Sequence, residues 1–274
     1  MILTDLHTHT TFSADGSGDM LAMLHKALQL GVRYYGISEH VNYDYDVLGL
    51  EIDGKKVPDI DLQAYFQRIR ALQEKFKDQI TLLAGLEFGY NGTRSCLDKY
   101  MDVVAAYQPD FIINSIHTCL GEECYFPEYT QNKSKRYAYS AYFDAVLESL
   151  DAPYPYDVVA HIGYCSRNAV YPDPKIRYED YADILDKILK KIIEKDKILE
   201  FNSSSRTAGS SFLPDIDIAA RYFDLGGRKV SFGSDAHDTP RIAEKHDIVV
   251  AALKKIGFTH FTLPNKHKHI QIAF

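Results

Sequence analysis

The amino-acid sequence predicts an α/β fold: a parallel sheet, open or closed into a barrel, with helices packed against it. Three observations carry this. Short apolar segments alternate with stretches of helical periodicity about seven times from end to end. No linker, repeat or low-complexity tract interrupts the rhythm. Histidines and carboxylates gather where the apolar segments end, which in α/β barrels is the mouth where chemistry sits.

The elements follow in order. Residues 2–7 read as a strand. Asp19 can cap the helix that follows, and Gly31 can stop it near Leu30. Residues 34–39 form a second strand. Leu62, Phe66, Ile69, Leu72 and Phe76 recur at helical spacing, and 80–88 is a third strand. A helix over 97–107 leads to a strand at 111–117, and one over 137–150 to a short strand at 157–161. Ile184, Leu185, Ile188, Leu189 and Ile192 mark a strong helix. Residues 198–202 and 229–234 are the sixth and seventh strands, with a helix over 216–225, closed by Gly226, between them. The last helix covers 240–255 and ends at Gly257. The stretches 41–60 and 118–135 read as long loops after strands, which in compact domains are often functional.

The bulk properties set limits. The 274 residues suit one large domain over 1–274. With 46% hydrophobic and 25% charged residues, a sizeable core is possible. No apolar run approaches the roughly 20 residues of a membrane span, and Met1-Ile2-Leu3-Thr4-Asp5 lacks the basic start of a signal peptide. A cytoplasmic protein with no membrane partner is expected. The formal net charge of −7, with no dense Lys/Arg cluster, argues against nucleic-acid binding. Cys96, Cys119, Cys124 and Cys165 lack paired spacing, which argues against a zinc ribbon and for free thiols.

The strand ends are more informative. They read Asp5-Leu6-His7-Thr8-His9, Ser38-Glu39-His40, Gly85-Leu86-Glu87, Ser115-Ile116-His117, Ala160-His161, Glu200-Phe201-Asn202 and Gly233-Ser234-Asp235-Ala236-His237. Residues two apart on a strand point the same way, so His7 and His9 converge, as do Asp235 and His237. Imidazole plus carboxylate without thiolate suits Zn²⁺, Mn²⁺ or Fe in a hydrolytic site with open coordination positions. Glu39, alternating with His40, reads as a structural partner. Glu200 reads as a group that orients a ligand. His25, His246, His260, His267 and His269 fall on helices or in the C-terminal tail and are not candidate ligands.

This series resembles the motif set of the PHP (polymerase and histidinol phosphatase) superfamily, in order and spacing, from residue 2 to about residue 257. Size, layout and Gly163-Tyr164-Cys165-Ser166-Arg167 make it most similar to the stand-alone histidinol-phosphate phosphatases of histidine biosynthesis. The resemblance implies a distorted (β/α)7 barrel with three divalent metal ions at its mouth. One ion would take His7, His9, Glu87 and Asp235. Glu87 would bridge to a second, held also by His117 and His161. The third would take Asp15, His40 and His237, with Asp15 standing where many members have His. A Ser-Ala-Asp-Gly-Ser loop could also use Asp15 as a turn residue.

The resemblance further implies phosphate-binding arginines at Arg167 and Arg206. Glu87, His237, His40 and Asp235 are the expected catalytic residues, and the substrate is a small phosphate monoester, L-histidinol phosphate. The long loops hold Tyr43, Asp44, Tyr45, Asp46 and Glu51, and Glu122, Glu123, Tyr125 and Phe126. Such carboxylates and aromatic rings can receive an ammonium and an imidazole. Another PHP phosphoesterase, acting on phosphotyrosine or nucleic acid, and a non-catalytic metal-binding regulator are the competing readings. Oligomeric state is not legible in the sequence.

Overall fold

The structure, a computed structural model, describes residues 2–52 and 54–274. Its main sheet has seven strands in chain order: β1 (Thr4–Asp5), β2 (Tyr34–Val41), β3 (Thr81–Gly89), β4 (Phe111–Ser115), β5 (Val158–Val159), β6 (Ile198–Asn202) and β7 (Val230–Gly233). Every neighbouring pair in that order is parallel. The two end strands then meet. The Leu6 N–H donates to the Phe232 carbonyl at 3.0 Å, the Asp235 N–H to that of His7 at 2.8 Å, and the His9 N–H to that of Ala236 at 2.8 Å. Of the two alternatives open to a parallel sheet, this chain takes the barrel.

A helix follows each strand: α1 (Met20–Gln29), α2 (Leu62–Phe76), α3 (Arg94–Tyr107), α4 (Lys135–Ser149), α5 (Ala182–Glu194), α6 (Ile216–Asp224) and α7 (His246–Ile256). They form where the sequence repeats an apolar face. In α5, Leu185, Ile188, Leu189 and Ile192 are all buried. Side chains of Asp19, Asp61 and Ser134 accept backbone N–H groups at the starts of α1, α2 and α4.

Strand alternation sorts the side chains. On β3, Leu82, Ala84, Leu86 and Phe88 pack into the main core with the helices. Leu83 points the other way, into a small cluster with Leu6, Phe111, Ile113, Val158, Ala160, Ile198 and Leu263. Gly85 makes room there, since a Cβ on it would lie 2.3 Å from the Phe111 ring. The next residue on this inward face is Glu87. An apolar plug thus fills the barrel beneath the polar mouth.

Several boundaries differ from expectation. Residues after Gly257, read as a tail, form an antiparallel hairpin of β8 (His260–Asn265) and β9 (Lys268–Ala273), and Leu263 of β8 enters the plug. The final helix starts at His246 rather than at 240. Asp238 caps a short turn at Thr239–Arg241, and Ala243 and Lys245 have φ of 56° and 58°, which no helix continues through. The two long loops carry local structure. The first holds a short helix, Tyr43–Leu48, and a small hairpin pairing Glu51–Ile52 with Lys55–Lys56. The second holds a hairpin pairing Thr118–Cys119 with Glu122–Glu123, and a short helix, Glu128–Gln131. Leu120 and Gly121 turn that hairpin with φ of 56° and 78°, as a two-residue type I′ turn requires. Among the described residues, no helix is long and apolar enough to cross a membrane.

The C-terminal hairpin is pinned to the barrel base by charge. His267 Nδ1 lies 3.0 Å from Asp157 Oδ2, which also accepts the Ile112 N–H at 3.0 Å. The Asp157 hydrogen bond raises the His267 imidazole above its ordinary value. A histidine raised on folding contributes stability that is fully present below its unfolded value, near pH 6.5, and lost as pH rises through the folded value. The stability difference between wild type and His267→Gln should therefore shrink as pH is raised from about 6 to 9. Denaturant titrations across that range check it. A difference that stays constant or grows would show that the pair is not coupled to folding.

Candidate metal centre

The inward carboxylate of Glu87 is the hub of the mouth. It is fully buried, and its two oxygens face different histidines. Oε1 lies 3.1 Å from His117 Nε2 and 2.9 Å from His161 Nε2. Oε2 lies 3.0 Å from His7 Nε2, 3.4 Å from His9 Nε2 and 2.9 Å from His40 Nδ1. The Ser115 hydroxyl donates to Oε1 at 2.5 Å and holds the carboxylate in place. Asp235 closes the His7/His9 side, its Oδ1 standing 3.7 Å from His7 Nε2 and 3.3 Å from His9 Nε2. Asp15, after the Thr10–Ser13 turn, reaches the same cluster. Its Oδ2 lies 3.1 Å from His237 Nε2 and 3.7 Å from His40 Nε2. All nine expected ligands therefore stand at one mouth, with Asp15 at its exposed edge. His40 spans two groups, with Nδ1 toward Glu87 and Nε2 toward Asp15, as does His237, with Nε2 toward Asp15 and Nδ1 3.7 Å from Asp235 Oδ1.

This donor set fits a metal. Two ligands about 2.1 Å from one tetrahedral ion stand roughly 3.4 Å apart, close to the separations seen here. His7, His9 and Asp235 form one tight trio; His7, Glu87 and His161, and His40, Glu87 and His117, form others. His9 Nε2 and His40 Nδ1 are buried without a hydrogen-bond partner among the described residues, although each stands beside a carboxylate. Overlapping trios that share Glu87 point to more than one ion.

Residues 5–204 match the PHP domain family. The chain belongs to this family. It is 28% identical over 256 residues to the histidinol-phosphatase of Lactococcus lactis, covering 93% of this chain and 91% of that one. It is 29% identical over 238 residues to a Clostridium acetobutylicum protein named "Probable histidinol-phosphatase", covering 85% and 86%. The crystal structure of L. lactis histidinol phosphate phosphatase, complexed with zinc, L-histidinol and phosphate, superposes with a TM-score of 0.84. It has 26% identity and covers 98% of both chains. The family match ends before β7, yet β7 closes the barrel and the turn after it carries Asp235 and His237.

Hydrogen bonds from neighbouring side chains fix how the clustered residues sit. Glu200 Oε1 lies 2.6 Å from His7 Nδ1, and Oε2 accepts the His161 N–H at 2.8 Å. Glu200 thus fixes the His7 ring and the His161 backbone. Glu39 holds the Thr10–Ser13 turn, accepting the Thr10 N–H at 3.1 Å and the Ser13 hydroxyl at 2.5 Å. Burial alone would raise the Glu87 carboxyl, but His7, His117 and His40 around it hold it well below the ordinary carboxylate range. Asp235 (φ 54°) and His161 (φ 20°) sit in backbone that side chains rarely adopt. Such conformations cost about 1–3 kcal/mol each and persist where the surroundings dictate them.

Above the cluster lies a cavity of about 450 Å³. Besides the cluster, its lining includes Arg167, Arg206 and Arg241, the carboxylate of Glu123, and Tyr45, Ile52, Tyr125, Phe126 and Tyr164. Arginines and aromatic rings lie together there, with the Arg167 guanidinium 4.8 Å from the Tyr164 ring centre. Arg167 is buried and is not a free fork. Its Nη2 donates to Asp235 Oδ2 at 2.8 Å and to Asn202 Oδ1 at 3.0 Å, while its Nε has no partner among the described residues. Arg206 is exposed at the rim, its guanidinium 5.5 Å from the Tyr125 ring centre. Of the loop residues expected near a substrate, Tyr45, Glu123, Tyr125 and Phe126 line the cavity. Asp46 and Glu122 are instead paired with Lys56 and Lys133. Sequence reasoning missed Arg241, which lines the cavity and donates to the Ser204 hydroxyl at 2.9 Å. Its signal was available: it stands four residues after His237, in the turn leaving β7. Ile52 carried no such signal, whereas Tyr164 lies in the Gly163–Arg167 segment already singled out.

Proposed function

We propose that this protein is a metal-dependent phosphatase that hydrolyses L-histidinol phosphate to L-histidinol and phosphate. The observation that carries it is the meeting, in one cavity, of the histidine–carboxylate cluster, three arginines and the buried carboxylate of Glu123. The relatives named histidinol-phosphatase, and the L. lactis structure holding zinc, L-histidinol and phosphate, support the same substrate.

Three divalent ions, Zn, Mn or Fe, are assigned to His7, His9, Glu87 and Asp235; to Glu87, His117 and His161; and to Asp15, His40 and His237. Ions bound there lower the pKa of water and offset the charge of phosphate oxygens. The protein does the rest. Glu87 ties two groups of histidines together, and Asp235 joins the first group to Arg167. Arg206 and the free edge of Arg167 receive phosphate oxygens through charge-assisted hydrogen bonds. His237 and His40 stand on the Asp15 side, where the departing alkoxide is stabilised. Glu123 pairs with the ammonium of the substrate, and Tyr125 and Phe126 pack on its imidazole. Residues 1–274 act as one catalytic unit on a small substrate in the cytoplasm, without nucleic acid or membrane.

The test is a panel of histidinol phosphate, phosphotyrosine, glycerol phosphate and short oligonucleotides at matched pH and metal. The value of kcat/KM for histidinol phosphate should exceed the others by at least about tenfold, the discrimination of one good ion pair. A flat panel, or a preference for phosphotyrosine or an oligonucleotide, overturns the assignment in favour of another PHP phosphoesterase.

A further inference from the structure

The short helix Tyr43–Leu48 after β2 holds a buried carboxylate that hydrolysis leaves without a task. Asp44 is fully buried; its Oδ2 accepts the Thr118 hydroxyl at 3.0 Å, and its Oδ1 has no hydrogen-bond partner among the described residues. An undonated carboxylate oxygen in the interior is costly. The fold nevertheless makes room for it. Gly89 ends β3 at this point, and a Cβ there would stand 2.6 Å from Asp44 Oδ1 and 2.9 Å from Oδ2. Any side chain at 89 would push the carboxylate away.

The hydrogen bonds of this helix have a pattern. Tyr45, the next residue, donates its hydroxyl to Glu123. Thr118 and Glu123 are directly opposed in the hairpin after β4. Consecutive residues of one short helix thus grip the two facing residues of one hairpin. One prong holds Glu123, on the cavity wall. The other holds Thr118, the residue immediately after His117, whose Nε2 must stand 3.1 Å from Glu87 Oε1.

We propose that Asp44 is a positioning residue that sets His117 against Glu87 by pinning Thr118. The inference rests on the reading of His117 as a metal ligand. His117 lies beyond the last residue of β4; its carbonyl accepts the Cys124 N–H at 2.7 Å, which ties it to the hairpin, and the Thr118–Asp44 bond ties that hairpin to the short helix. Groups that orient a ligating histidine typically change metal affinity by about 10–100-fold when lost.

The experiment strips the full-length protein of metal and titrates it with Zn²⁺ against a chromophoric chelator. It compares wild type with Asp44→Asn, Thr118→Val, Gly89→Ala, Asp44→Ala and Gly89→Ala/Asp44→Ala, with His117→Ala as reference. Asp44→Ala and Thr118→Val should weaken one zinc equivalent by about 10–100-fold and leave the others as in wild type, whereas Asp44→Asn, whose amide oxygen still accepts the Thr118 hydroxyl, should stay near wild type. The weakened equivalent should be the one His117→Ala removes. Gly89→Ala should reproduce the defect alone and add nothing once Asp44 is alanine. Wild-type zinc affinities in both Asp44→Ala and Thr118→Val, or a fall in metal-free melting temperature as the only change, overturn the proposal. Zinc binding untouched by His117→Ala overturns the ligand reading itself, and this inference with it.

Discussion

Glu87→Gln is expected to lose at least about a thousandfold in kcat/KM, together with most of the bound metal. The substitution keeps the shape of the side chain and removes its charge. It replaces one of two oxygens that now face five histidines, all within 3.4 Å of the carboxylate. An amide nitrogen turned toward His7 and His9, or toward His117 and His161, offers no lone pair to an ion. His40→Ala should be milder, because the His7/His9/Asp235 trio and the His117/His161 pair survive it. Steady-state kinetics with elemental analysis of both variants make the comparison. Equal and mild losses would show that Glu87 is one ligand among many rather than the link between groups.

Chelation should abolish turnover altogether, and Zn²⁺ or Mn²⁺ should restore it. The physical basis is the same crowding. Without ions, imidazole nitrogens stand close to the carboxylates: those of His7, His117 and His161 beside Glu87, and that of His237 beside Asp15. The carboxylates raise His7, His117 and His237 against the effect of burial, and ions must displace the protons these rings hold, so reloading the stripped protein near pH 7 should release protons to the buffer. Calorimetry in two buffers of different ionisation enthalpy reads this directly. The bound ions should also raise the melting temperature, since a ligand that binds only the folded state stabilises it by mass action. Full activity of metal-free protein in excess chelator would end the metal-dependent reading.

Much of this was legible in the chain itself. Helices came from apolar residues at three- and four-residue spacing, which only a buried helix face explains. The ligands came from chemistry: buried histidines and carboxylates are expensive, so their recurrence at successive strand ends demanded a shared function. Glu200 was legible for the same reason. The short pieces were less so. Leu120–Gly121 reads as nothing special until φ is known, and the β8–β9 hairpin lacks an Asn-Gly or Asp-Gly turn to announce it.

By itself, then, the sequence determined the order of strands and helices, the identity of the metal-competent side chains and their place at one end of the sheet, because periodicity and residue chemistry are local properties. Barrel closure was decided only by the tertiary structure, through hydrogen bonds between β1 and β7, elements more than 220 residues apart. The division of Glu87 between two groups of histidines was decided there too. So were the commitment of Arg167 to Asp235, the presence of Arg241 at the mouth and the burial of Asp44 against Gly89. Each of these depends on which segments the closed barrel brings face to face, and no local pattern encodes that distance.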